Sequence, residues 1–244
     1  MVSPRTAPIP RVRHPLMFQR WRHLTFLHWR YPPDVVQARL PAGLTVETCD
    51  GSAWVGLIPF LMVDVRAPGV PPLPWLSRFP ETNVRTYVRG PDGRSGIWFF
   101  SLDAARLPAV LAARAGFGLP YMWSDMTVQV TATTLRYRSR RRWPGPPGAT
   151  CEADVELGDP LAPAEVGPLE EFLTARFRLY STFAGRLVVA EAEHPPWQVH
   201  RARVARLDQD LVPAAGLPGP EHDPLVHASP GVSVRVGSWR VART

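Results

Sequence analysis

Glu81-Thr82-Asn83-Val84-Arg85-Thr86-Tyr87-Val88 is the stretch that decides the fold. Successive side chains of a strand point to opposite faces, so Glu81, Asn83, Arg85 and Tyr87 share one face and Thr82, Val84, Thr86 and Val88 the other. The β-branched content of the second set favours a strand over a helix. The first set puts an acid, an amide, a guanidinium and a phenol in one row. Two readings follow from the pattern alone: a row lining an internal pocket, or a wet outer face, with an Arg85–Glu81 ion pair as the structural explanation of the charges.

Outward from this row, strand signals dominate. Residues 82–89 and 95–102 form a hairpin about Pro91-Asp92-Gly93, and 44–49 pairs with 53–66 through Asp50-Gly51. Further strands are expected at 21–30, 124–139, 150–157, 185–194, 197–207 and 231–242. Helices are expected at 34–39, at 103–116 with Asp103 as N-cap, and at 163–180, where Glu165, Glu170 and Glu171 precede Arg176 and Arg178 as the helix dipole favours. Many strands with few helices imply an α+β, mainly β protein: a curled antiparallel β-barrel with two or three short helices. Residues 143–149 and 213–224 read as loops. Residues 1–15, rich in Pro and Arg without an apolar stretch, read as a flexible arm before a single domain at 16–244. No segment has the roughly 18–20 apolar residues of a membrane span, so a cytoplasmic protein without a membrane partner is expected.

The net charge is +7, and all 28 basic residues are Arg; the chain has no Lys. Arg and 29 Pro together fit a GC-rich coding sequence. Arg136, Arg138, Arg140, Arg141 and Arg142 could neutralise phosphates, but Arg136, Arg138 and Arg140 alternate as one solvated strand face would, and no nucleic-acid-binding motif accompanies them. No nucleic-acid partner is expected. Cys49 and Cys151, 102 residues apart, make neither a metal motif nor a disulfide framework. His23, His28 and His194 lack metal-ligand spacing, so no metal and no cofactor is expected. No hydrolase elbow, phosphate loop or dinucleotide fingerprint is present.

Five segments carry a resemblance: Leu40-Pro41-Ala42-Gly43-Leu44, Ala53-Trp54-Val55-Gly56-Leu57-Ile58-Pro59-Phe60, Phe79 to Val88, Trp98-Phe99-Phe100-Ser101-Leu102-Asp103, and His194-Pro195-Pro196-Trp197. From about Trp21 to Arg206 the chain resembles the YqjF-like, DUF2071 family of uncharacterised bacterial proteins, itself similar in fold to acetoacetate decarboxylases. The resemblance implies a large curled barrel with an internal pocket. It places the decarboxylases' early-strand arginine on Arg22, their pocket glutamate near Glu81, and their paired lysines on Tyr121 and Met122. A Schiff-base mechanism needs a primary amine, and a guanidinium stays protonated, so acetoacetate-decarboxylase chemistry is excluded.

The expected site therefore has Glu81 and Tyr121 as catalytic groups, with Arg22, His28, Asn83, Arg85, Tyr87 and Trp123 binding ligand. Arg22 and His28 share a strand face in this reading, and His194-Pro195-Pro196-Trp197 shapes a strand crossing. The expected ligand is a small organic acid or ketone. An enzyme on this site would be a lysine-independent lyase, isomerase or hydrolase using general acid/base catalysis. The alternative is a non-catalytic scaffold or partner-binding protein with a filled interior and Glu81 locked in a salt bridge. A homo-oligomer is compatible with the fold, although no interface stripe marks one.

Overall fold

The structure, a computed structural model, describes residues 9–243. The strands are β1 (Met17–Tyr31), β2 (Thr45–Val46), β3 (Ala53–Arg66), β4 (Phe79–Arg89), β5 (Ser95–Ala104), β6 (Tyr121–Val130), β7 (Thr134–Trp143), β8 (Thr150–Pro160), β9 (Arg178–Phe183), β10 (Arg186–Glu193), β11 (His200–Gln209), β12 (Leu225–Val236) and β13 (Arg240–Val241). Four helices accompany them among the described residues: α1 (Pro33–Gln37), α2 (Leu107–Phe117), α3 (Pro168–Thr174) and α4 (Leu211–Ala214). The strands form one sheet in the order β13-β10-β9-β5-β6-β7-β8-β11-β12-β1-β3-β4-β2. An added β4–β5 pairing curls this sheet partly into a ring.

The ring is not wholly antiparallel. β5 runs parallel to both β6 and β9. Parallel neighbours need a crossover connection, and α2 supplies it between β5 and β6. The expected helix at 103–116 accordingly starts at Leu107, because Asp103 belongs to β5 and its carboxylate is committed elsewhere. The expected helix at 163–180 shrinks to α3 after a 3-10 turn at Pro163–Glu165. Its last three residues join the sheet in β9 instead, since β5 offers a free edge there. The strand expected at 124–139 is a hairpin, β6–β7, turned by hydrogen bonds between Thr131 and Thr134. The expected 44–49 to 53–66 hairpin reduces to a Cys49–Ser52 bridge, and β2 pairs with β4. The loop expected at 213–224 begins inside α4. Residues 1–8 of the expected arm lie outside the described residues. Further along, Val12 is buried and its N–H donates to the Glu193 carboxylate at 2.6 Å.

Apolar clusters occupy both faces of the curled sheet. On the outer face, Leu27, Leu57 and Val84 pack under Val36, Leu211 and Val212 from the short helices. Inside, Leu24, Phe26, Ile58, Phe60 and Phe79 pack together. β4 is thus buried on both sides, which explains why its second face is β-branched rather than polar.

At the junction of β5, β6 and β7, Asp103 and Arg141 form an ion pair with both side chains at 0% exposure. Arg141 donates from Nε to Asp103 Oδ1 at 2.9 Å and from Nη2 to Oδ2 at 2.7 Å. Ser124 Oγ donates to Oδ1 at 2.7 Å, and Arg141 Nη2 reaches Ser101 Oγ at 3.2 Å. The basic run is therefore largely paired: Arg138 meets Asp154 and Glu152, and Arg142 meets Asp125. Breaking a buried pair leaves an uncompensated charge. Asp103→Ala is expected to destabilise the protein by about 3–5 kcal/mol in urea unfolding, and Ser124→Ala by about 1.5–3 kcal/mol. Arg142→Ala, at an exposed pair, leaves the midpoint unchanged. Equal midpoints for all three variants would remove the junction's structural role.

Candidate functional site

A cavity of about 200 Å³ lies inside the curl, among β1, β3, β4, β5, α2 and the segments on either side of β9 and β10. Most of its lining is apolar. Its polar groups come from β4, which contributes Glu81, Asn83 and Arg85, from Gln19 on β1, from Tyr121 at the start of β6, and from Thr174, Arg176 and His194. The β4 row therefore faces inward, and the wet-face alternative does not apply to it. Pairing with β3 on one side and β5 on the other holds the row in register.

Glu81 is buried, and Tyr121 Oη donates to its Oε2 at 2.8 Å. Burial pushes the Glu81 carboxyl up to about 8; the Tyr121 bond opposes this and the Asp103 charge adds to it. Glu81 is thus a neutral carboxylic acid at neutral pH. Tyr121 itself is pushed well above the usual phenol range by burial and by Glu81. Asn83 has its Oδ1 buried without a partner.

Arg85 is buried, and no carboxylate pairs with it among the described residues. The Arg85–Glu81 ion pair, the structural alternative for these charges, does not form. Arg85 Nη2 donates to the Leu173 carbonyl at 3.3 Å and reaches Tyr87 Oη at 3.5 Å, while Nε has no partner. Its guanidinium lies 5.8 Å from the Phe26 ring centroid and 5.7 Å from that of Tyr87.

Tyr87 lies buried beside the cavity. Its hydroxyl donates to the Leu173 carbonyl at 2.8 Å and sits 2.6 Å from His28 Nε2. With the tyrosine proton committed to Leu173, His28 must donate from Nε2, leaving Nδ1 as a buried acceptor without a partner. Burial, with Arg85 and His227 nearby, holds His28 well below its usual range, so it is neutral. His28 supports Tyr87 from behind and does not line the cavity.

Arg22 and Trp123 also fall outside the lining. A bulge against β3 at His23, whose φ is +52°, shifts the alternation of β1 by one residue. Trp21 and Leu24 consequently face the cavity, and Arg22 turns to the outer face, opposite Leu61. The expectation that Arg22 and His28 share a face is corrected by this one extra residue. Gly231 makes the bulge possible: at φ +119°, a Cβ there would meet the Trp21 carbonyl oxygen at 1.9 Å. Trp123 packs against the apolar cluster around Phe60 and Phe79.

Sequence reading missed Arg176 and His194. Arg176 was hidden in an apparent helix, yet it follows α3 and enters the cavity. It donates to Glu47 Oε2 at 2.6 Å and to the Phe172 carbonyl at 2.7 Å, and stacks on Phe172 and Tyr87. The last carbonyls of α3 thus receive Arg176, Arg85, Tyr87 and, through Thr174, Trp197 Nε1. This negative helix end offsets the charge of Arg85, which has no carboxylate, and adds to Glu47 at Arg176. The signal for His194 was its own motif, His194-Pro195-Pro196-Trp197, which does turn the chain but also places His194 and Trp197 on the cavity wall. His194 Nδ1 lies 2.8 Å from the Pro195 carbonyl, and burial lowers its pKa.

No group of three or more His, Cys, Asp or Glu side chains could hold a metal ion among the described residues. No helix there is long and apolar enough to cross a membrane.

The DUF2071 family, described as an uncharacterized conserved protein, matches residues 18–233. The chain belongs to the DUF2071 family. YqjF of Bacillus subtilis (strain 168) is 36% identical over 212 residues, covering 87% of this chain and 86% of that one. Among solved structures, an acetoacetate decarboxylase-like enzyme from Sphingomonas wittichii RW1 matches with a TM-score of 0.66 at 13% identity, over 93% of this chain and 92% of that one. The enduracididine biosynthesis enzyme MppR, complexed with pyruvate, matches at 0.62 and 14% identity, over 93% and 90%. This DUF2071 chain therefore has the acetoacetate decarboxylase-like fold. The DUF2071 chain has Tyr121, bonded to Glu81, where the sequence resemblance aligned a decarboxylase lysine.

The raised Glu81 pKa has a thermodynamic sign. Between about 4.5 and 8 the folded state binds the Glu81 proton and the unfolded state releases it. This contribution to stability is fully present below about 4.5 and is lost as pH rises to 8, at up to ~1.4 kcal/mol per pH unit. The stability difference between the wild type and Glu81→Gln is expected to change with that slope across the window. A pH-independent difference would show that Glu81 ionises normally.

Proposed function

We propose that this chain binds a small organic acid or ketone in the internal cavity. Arg85 is the anion anchor, and Glu81 with Tyr121 forms the acid/base pair at the other end of the polar row. The observation that carries this reading is Arg85: a buried guanidinium in a mostly apolar cavity, with no carboxylate partner and an unpaired Nε. Burying a charge without a counterion is costly, and a ligand carboxylate would offset that cost through charge-assisted hydrogen bonds. The decarboxylase-like fold and the pyruvate complex of MppR support the same ligand class. The open cavity and the missing Glu81–Arg85 pair favour binding over a scaffold with a filled interior.

With no Lys in the chain, an imine cannot form on a side chain. Any turnover would rest on proton transfer, where a positioned acid or base contributes roughly 10²–10⁴-fold. Neutral Glu81 is suited to protonating a carbonyl oxygen, with Tyr121 holding the carboxyl in place. A panel of small carboxylates and ketones in a thermal-shift assay is expected to give a carboxylate-dependent rise in Tm of several degrees. Arg85→Met is expected to abolish that rise while remaining folded by circular dichroism. No shift with any acid, or an undiminished shift in Arg85→Met, would overturn the reading.

A further inference from the structure

The two ends of the polar row differ in charge and stand far apart, and these facts narrow the ligand. At Arg85's end, two guanidinium groups flank the Tyr87 ring, with centroid distances of 5.7 and 5.2 Å for Arg85 and Arg176. Glu47, ion-paired with Arg176, supplies one negative charge. Glu47 is shared with the half-exposed Arg89 outside the cavity, and of the two guanidiniums that line the cavity Arg85 alone lacks a carboxylate, so this end accommodates a single carboxylate. The Arg85 Nη2 contacts lead toward Tyr87 and Leu173, away from Glu81. Four residues of strand set their Cα atoms about 13 Å apart. A longer acid spans the two ends better than a three- or four-carbon one.

The Glu81 end offers a neutral donor. Tyr121 donates to Oε2, which fixes Oε2 as the carbonyl oxygen of the carboxylic acid and leaves the Oε1 hydroxyl to donate. The titratable and charged groups around it are Tyr121 from β6, Asp103 from β5 with its partner Arg141 from β7, and Arg114 of α2, which donates to the Tyr121 carbonyl. β3 and β1 bring the Phe60 and Trp21 rings to this part of the cavity. A second carboxylate here would meet the buried Asp103 charge, while the nearby guanidiniums are committed elsewhere, Arg141 to Asp103 and Arg114, outside the cavity lining, to the Tyr121 carbonyl and the Trp143 ring. Between the ends, Asn83 Oδ1 waits for a donor and the walls are apolar. The cavity volume, about 200 Å³, equals the space of about seven waters at ~30 Å³ each.

We infer that the ligand is a medium-chain monocarboxylic acid whose carboxylate sits on Arg85 and whose opposite end carries an uncharged oxygen, a ketone or hydroxyl, that accepts a hydrogen bond from the Glu81 carboxyl. This inference rests on the acid-binding reading above and specifies its charge, length and second polar group. The raised pKa of Glu81 supports it by keeping the donor protonated at neutral pH.

Calorimetry on the full chain tests it. The ligands are straight-chain monocarboxylates of four to ten carbons, the same acids with a keto group toward the far end, and the matching dicarboxylates, at pH 6.5 and 9. Medium-chain monocarboxylates are expected to bind at least about tenfold more tightly than dicarboxylates of equal length, whose second charge would be buried unpaired. The keto group is expected to add about three- to tenfold at pH 6.5 and nothing at pH 9, where Glu81 has lost its proton. Glu81→Gln keeps an N–H donor, so its keto preference is expected at both pH values. Dicarboxylates binding as tightly as monocarboxylates, or monocarboxylates binding with no keto preference at either pH, would overturn the inference while leaving acid binding intact. No binding of any acid would overturn the underlying reading as well.

Discussion

A carboxylate and a guanidinium sealed from water hold the closure of this sheet. Asp103 and Arg141 make two parallel hydrogen bonds at the point where β5 meets β6 and β7, and Ser101 and Ser124 occupy further bonding positions around them. β5 has to accept β4 on one edge and β6 and β9 on the other, which is possible because β6 and β9 contact different parts of it. A desolvated ion pair is a poor source of net stability. Its geometric demand is strict, however, because a slip of one residue would strand both charges in the apolar interior. Fixing that junction fixes the position of Tyr121, two residues before the β6 residue opposite Ala104 and three before Ser124.

The same pair reaches the candidate site electrostatically. The Asp103 charge adds to the effect of burial on Glu81 and helps keep it protonated. An acid that would be charged in water is thereby converted into a hydrogen-bond donor, while Arg85, in the same row, stays without a carboxylate of its own. One strand thus presents a neutral donor at one end and a cation at the other. The α3 carbonyl of Leu173 accepts a hydrogen bond from this cation.

The larger part of the fold was legible in local pattern. Alternation in β4 and the β4–β5 turn at Pro91-Asp92-Gly93 gave strands in the right places, and the DUF2071 segments pointed to a decarboxylase-like curl. Local pattern failed where tertiary contacts compete with it. Asp103 looks like a helix cap until Arg141 claims it from 38 residues away. Arg176 and Arg178 look like the basic end of a helix until β5 recruits β9. Arg22 looks inward-facing until a bulge with positive φ at His23, admitted by a glycine on β12, reverses the face.

The sequence by itself determined that side-chain imine chemistry is unavailable, because a chain without Lys has no side-chain primary amine, and that Glu81, Asn83, Arg85 and Tyr87 share one face, because strand period is a local property. Only the tertiary structure decided which way that face looks, that Arg176 and His194 join it, and that Glu81 is neutral while Arg85 lacks a carboxylate. The reason is that burial and charge pairing are set by residues distant in the chain, and the desolvation that governs both exists only once the sheet has curled around them.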